Sequence, residues 1–171
     1  MPVDYSEVEF ALEILNIEKS ILNDVILEKK TSDIFYEGTT IILFYKDVAG
    51  LIHELIHLIV LRKMGSLRET NKDLFDAFSE FYASALSYLL GAEDVLLDLE
   101  RILTDFREFL RKNKRNFAFS MLGRYLVGVL GDKLEPLFLK SVETAYKYFL
   151  EVLDKNKSAI PEISQIVNVS L

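Results

Sequence analysis

Apolar positions across residues 5–30 recur at helical spacing, with Val8, Ala11, Leu12, Leu15, Ile21, Leu22 and Val25 in register, which predicts one helix or two. From Thr31 the period changes. Ile34-Phe35-Tyr36, then Glu37-Gly38, then Thr39 to Tyr45 is rich in β-branched and aromatic residues around a glycine turn. That pattern predicts a hairpin, or at least one firm strand over 39–45. Asp47 is placed to cap the next helix, which runs to Lys63 or Met64 and stops at Gly65. Thr70-Asn71-Lys72-Asp73 resembles a capping box, with Asp in place of the usual Glu, and opens a helix that ends at Gly91. Residues 92–113 read as a charged amphipathic helix and 116–130 as a more apolar one. Asp132 with Glu135 caps a last helix to about Asn156, where Pro136 is tolerable in the first turn. The tail from Lys157 has no clear pattern. With no repeats and no low-complexity linker, the chain reads as one domain over 1–171. Its expected class is mainly α (α+β), with a small β-hairpin or edge strand ahead of the helix that starts near Asp47.

Composition narrows the chemistry. The 171 residues carry a net charge of -7, which disfavours a nucleic-acid partner. One basic cluster exists (Arg107, Arg111, Lys112, Lys114 and Arg115), and it reads as a solvated helix end. There is no cysteine, so disulfides, thiol nucleophiles and thiolate metal sites are excluded. No signal peptide is apparent, and no uninterrupted apolar run reaches the length of roughly 18 residues needed to span a bilayer. No stable membrane insertion is expected, and a cytoplasmic location is the default.

Against this background one pattern stands out, His53-Glu54-Leu55-Ile56-His57. On a helix, positions i and i+4 share a face with Cβ atoms about 5–6 Å apart. Two imidazoles there can both reach one zinc ion at about 2.0–2.1 Å. Glu54 lies beside them on the wheel, bordering the site without having to be a ligand, and there it can accept a proton from metal-bound water. From Val48 to Leu61 these three are the only polar side chains, so the helix reads as buried, and buried ionisable groups need partners or a metal. Gly50, three residues before His53, leaves room on the same side. The chance of this His-Glu-x-x-His coincidence from composition alone is about one in a thousand.

A catalytic zinc takes three protein ligands and one open position. With two histidines and no cysteine, the third ligand here must be acidic. On the helix over 70–90, Asp73, Asp76, Glu80, Ser84 and Ser87 form a polar stripe. Asp73 and Ser87 read as solvated. Glu80 is central, flanked by bulky apolar residues, and far enough past His57 for the chain to turn at Gly65 and return. It is the favoured ligand over Asp76, which one turn earlier can bond the second nitrogen of a ligand histidine.

The motif with Glu80 on a later helix resembles the gluzincin group of zinc metallopeptidases, and at this size the minimal gluzincins. Glu80-Phe81-Tyr82-Ala83 also resembles the Glu-x-x-Ala form in which several of those families supply the third ligand. The likeness covers roughly residues 39–84. It implies a zincin-like fold in which His53, His57 and Glu80 bind Zn2+ and Glu54 is general base and acid. It also implies that strand 39–45 forms the upper rim of a cleft and binds an extended peptide by strand addition. Metzincins are excluded, because Val60 and Lys63 occupy the positions of their Gly and third His. Related families add a Tyr, His or Arg for the oxyanion. Tyr125 or Arg124 could serve, although a core aromatic and a surface arginine are the plainer readings.

The expected function is therefore a zinc-dependent metallopeptidase acting on a peptide or protein substrate. A metal-binding regulatory or interaction module without turnover is the alternative, and a structural helical protein with an incidental motif is the third.

Overall fold

The computed structural model describes residues 2–30, 33–37, 39–92, 107–108, 110–112, 115–158 and 161. The expected class holds: the chain is mostly helical with one small sheet. Helix α1 (Tyr5–Leu15) is capped by Asp4, whose carboxylate accepts from the Ser6 amide, and it buries Val8, Ala11 and Leu12. It ends at Asn16 in the left-handed region, with φ 51°. A short 3-10 turn (Lys19–Leu22) leads into strand β1 (Val25–Lys29), followed by β2 (Asp33–Glu37) and β3 (Thr40–Tyr45).

The helical reading of residues 5–30 is thus corrected at 25–29. Val25, Leu27 and Lys29 are half-buried while Ile26 and Glu28 are exposed, an alternation of period two; the three apolar residues Val25-Ile26-Leu27 are too short a run to separate a strand from a helix turn. The hairpin is present, since β2 and β3 pair antiparallel with Phe35 opposite Ile42. However, β3 is not an edge strand. The sheet order is β1-β3-β2, and β1 lies parallel against the free side of β3 with Ile26 opposite Ile42. Ile41, Leu43 and Tyr45 face the core. The Asp4 amide donates to the Tyr45 hydroxyl at 3.1 Å, and Lys29 pairs with Glu7 at 2.8 Å, so α1 is tied to two strands.

Helix α2 (Val48–Thr70) begins at Asp47, whose carboxylate accepts from the Gly50 amide at 2.8 Å. It does not stop at Gly65. Helical bonding continues to Thr70, and the change of direction is a kink at Met64 (φ -129°, ψ 25°). Gly65 keeps a negative φ in open space, so it is not the left-handed stop that the sequence suggests. Asn71 alone separates α2 from α3 (Lys72–Leu89). Its amide donates to the Leu67 carbonyl at 2.7 Å, and its side chain accepts from the Leu74 amide at 3.1 Å. Asn71, not Thr70, is therefore the cap.

The kink matters for the site. In a straight helix His57 would stand about 21 Å from the Asn71 corner, and Glu80 about 13.5 Å beyond it, at 1.5 Å per residue. The bend at Met64 lies within that span, so α2 and α3 are not a straight antiparallel pair between the two residues.

Helix α4 (Arg115–Lys140) continues through Gly131 and includes Pro136, and helix α5 (Val142–Asn156) starts at Ser141, whose hydroxyl accepts from the Thr144 amide. The boundary expected at 130–132 therefore falls ten residues later, where Ser141 supplies the cap. The expected helix over 92–113 and the tail lie largely outside the described residues. Within the basic cluster, Arg107, Arg111 and Lys112 are exposed, and Lys112 pairs with Glu108 at 2.6 Å.

The core gathers Phe78, Phe81, Phe119, Phe138 and Phe149 around α3, with Phe81 and Phe149 ring centroids 4.9 Å apart. Gly123 of α4 lies directly on the Phe81 carbonyl, where any β-carbon would overlap it, and Ser84 and Ser120 hydroxyls meet at 2.5 Å. Small residues thus bring α4 close against α3. Ser87, expected on a solvated face, is fully buried as a result. No helix among the described residues is long and apolar enough to cross a membrane.

Candidate metal centre

The wall behind the motif is apolar. Leu51, Leu55, Ile56 and Leu58 of α2 are fully buried, and Phe75, Phe78 and Phe81 of α3 are nearly so. These residues fix the rotation of both helices, and that rotation brings His53, His57 and Glu80 together. One ligand atom from each lies within 4.8 Å of the others. The two Nε2 atoms of His53 and His57 are 3.0 Å apart, and His57 Nε2 is 3.4 Å from Glu80 Oε1.

The two separations centred on His57 suit one small cation, and the third ligand atom pair lies within 4.8 Å. Two donors bound at about 2.0–2.1 Å in a tetrahedral shell stand about 3.3 Å apart, between the observed 3.0 and 3.4 Å. The donor set of two imidazoles and one carboxylate is also what a borderline-soft divalent ion such as zinc accepts.

His57 is 6% exposed. Burial pushes its imidazole well below the usual histidine range, and His53 alongside adds to the effect. It is held neutral, the form in which an imidazole binds a metal. Its other nitrogen, Nδ1, is hydrogen-bonded with the hydroxyl of Ser79 at 2.6 Å. With Nδ1–H donating to Ser79, the lone pair is on Nε2, pointing at His53 and Glu80.

Ser79 went unseen in the sequence, where Asp76 was given this duty. Asp76 instead pairs with Lys72 at 2.6 Å near the surface. The available signal was position: Ser79 lies next to Glu80 and three residues after Asp76, so it shares the Asp76 side of the helix one turn nearer the site.

Glu54 is 7% exposed and so is removed from bulk water, but it does not belong to the three-residue ligand group. This is the separation of duties that a carboxylate acting as base requires. Asp73 is exposed on the first turn of α3, and Gly50 is half-buried in the first turn of α2. Arg124, read first as a surface residue, is half-buried on α4. The Tyr125 side chain lies outside the described ones.

The rim expected at β3 is closed, because both sides of that strand already carry hydrogen-bonded neighbours. Scans of family models, of curated proteins and of solved structures find nothing that matches this chain.

Proposed function

We propose that this protein is a zinc-dependent peptidase whose metal ligands are His53, His57 and Glu80. The observation that carries the reading is the convergence of two imidazole nitrogens and a carboxylate oxygen from two buried helices, at 3.0 and 3.4 Å. Three protein ligands would leave a bound zinc one position open to water or substrate, as catalytic sites have and closed structural sites lack. Zinc bound there supplies Lewis acidity, which polarises a scissile carbonyl and brings the pKa of water toward 7.

The chain's own groups do the rest. His53 and His57 act as neutral donors, and Ser79 keeps the His57 ring in the required tautomer. Glu80 contributes one negative charge. Glu54, adjacent to His53 in a nearly dry wall, takes the proton from the attacking water and delivers it to the leaving amine. A peptide or protein is the proposed substrate. Strand pairing with it would have to use the outer edge of β1 or β2, since β3 offers none.

The test compares zinc-loaded wild type with Glu54→Gln on a mixed peptide library. Glu54→Gln is expected to bind one equivalent of zinc and to cleave at least 100-fold more slowly, in line with the loss of a general base. Equal cleavage by both proteins would remove Glu54 from the mechanism. Wild type that binds zinc yet cleaves nothing would remove the peptidase reading.

A further inference from the structure

The contacts between α3 and α4 reach one residue beyond the ligand set. Ser120 meets Ser84, and three residues later along α4, Gly123 rests on the carbonyl of Phe81, three residues earlier along α3. The two helices therefore run antiparallel here. Glu80 is one turn back from Ser84 on the same flank of α3, and Arg124 is one turn on from Ser120 on the same flank of α4. A single step from the serine contact sets Arg124 opposite Glu80. Arg124 is half-buried, and its Nε is closed off from solvent, so the side chain lies along the helix seam rather than out in water. A permanently charged guanidinium whose Nε is closed off from water is retained where a carboxylate meets it.

We propose that Arg124 is the positioning residue of Glu80. Its planar fork holds the carboxylate oxygen that is turned away from the histidines, which leaves Oε1 directed at His57 Nε2. It also offsets part of the negative charge that Glu54 and Glu80 bring into an apolar wall. The pairing itself is independent of any metal; its consequence for zinc rests on the function proposed above.

Two measurements test the two parts. In metal-free protein, denaturation midpoints are compared for wild type, Glu80→Gln, Arg124→Met and the double variant. The expected result is a double variant that loses clearly less than the sum of the two single losses. Additive losses would overturn the pairing. Arg124→Gln, which removes the charge but keeps a polar head, provides the same comparison should Arg124→Met fail to fold.

In the second measurement, a chromophoric chelator competes for zinc. Arg124→Met is expected to weaken zinc binding by about 10–100-fold, and Arg124→Lys to recover part of the loss. A folded Arg124→Met protein with wild-type zinc affinity would assign Arg124 to packing alone and defeat the positioning role. Wild type that binds no zinc, with non-additive midpoints in the first measurement, would uphold the pairing and defeat the metal reading instead.

Discussion

His57 has both ring nitrogens committed, Nδ1 to Ser79 and Nε2 toward His53 and Glu80. That is why Ser79, a small hydroxyl with no chemistry of its own, is expected to count. Ser79→Ala keeps the helix and the volume but removes the partner that selects the tautomer. Zinc affinity is expected to fall by about 10–100-fold, read by competition with a chromophoric chelator, and an unchanged affinity would remove Ser79 from the site. The two histidines were legible in the sequence because four residues is a fixed geometric relation within one helix. Glu80 was legible by elimination and helical phase. Ser79 was not, because its role exists only once α3 is rotated against α2. Asp76 misled for the same reason: its ion pair with Lys72 lies within its own helix and draws it outward.

The elements were legible where one period dominated. The hairpin, α3 and the start of α2 stand where periodicity and caps put them. Residues 25–29 went to a helix because Val25-Ile26-Leu27 fits either period, and only its parallel pairing with β3 decides for a strand. Glycine was read as a stop at Gly65, and a boundary was placed between 130 and Asp132, yet neither Gly65 nor Gly131 has a positive φ, and helical bonding runs through both. The glycines can be separated by experiment. Gly65→Ala places a methyl in open space on a helix and is expected to stabilise the protein by about 0.5–1 kcal/mol. Gly123→Ala drives a β-carbon into the Phe81 carbonyl, which has no rotamer to escape to, and is expected to cost about 1–3 kcal/mol. Thermal melts of the two variants should move in opposite directions, and a destabilised Gly65→Ala would return the helix stop to that residue.

Across the whole molecule, the three helices α3, α4 and α5 close around one aromatic cluster, and Tyr82 is its most deeply buried tyrosine. Its hydroxyl donates to the Phe138 carbonyl at 3.0 Å, and burial, helped by Glu143, pushes its phenol up to about 12. A phenol with a folded-state pKa above its ordinary 10.0 favours the folded chain while protonated. That contribution is complete below pH 10 and is lost as the pH climbs to about 12. At about 1.4 kcal/mol per unit, the loss approaches 2–3 kcal/mol. Urea midpoints across this window should drop steeply in wild type and less in Tyr82→Phe. Tyr146 and Tyr148, also raised by burial, keep some slope in both proteins. Identical slopes would show that Tyr82 ionises as freely folded as unfolded. The order of strands was the least legible feature at this scale, because pairing between distant segments leaves no mark in local periodicity. The one-residue Asn71 corner between α2 and α3 has a kinetic consequence as well. All three ligands come from residues 53–80, on two consecutive helices, so bringing them together closes a short loop and gives up little chain entropy. Contacts of such low sequence separation form early in folding. The candidate set can therefore assemble before the sheet has found its register, and a metal bound as proposed would hold the α2–α3 pair together ahead of the rest of the fold.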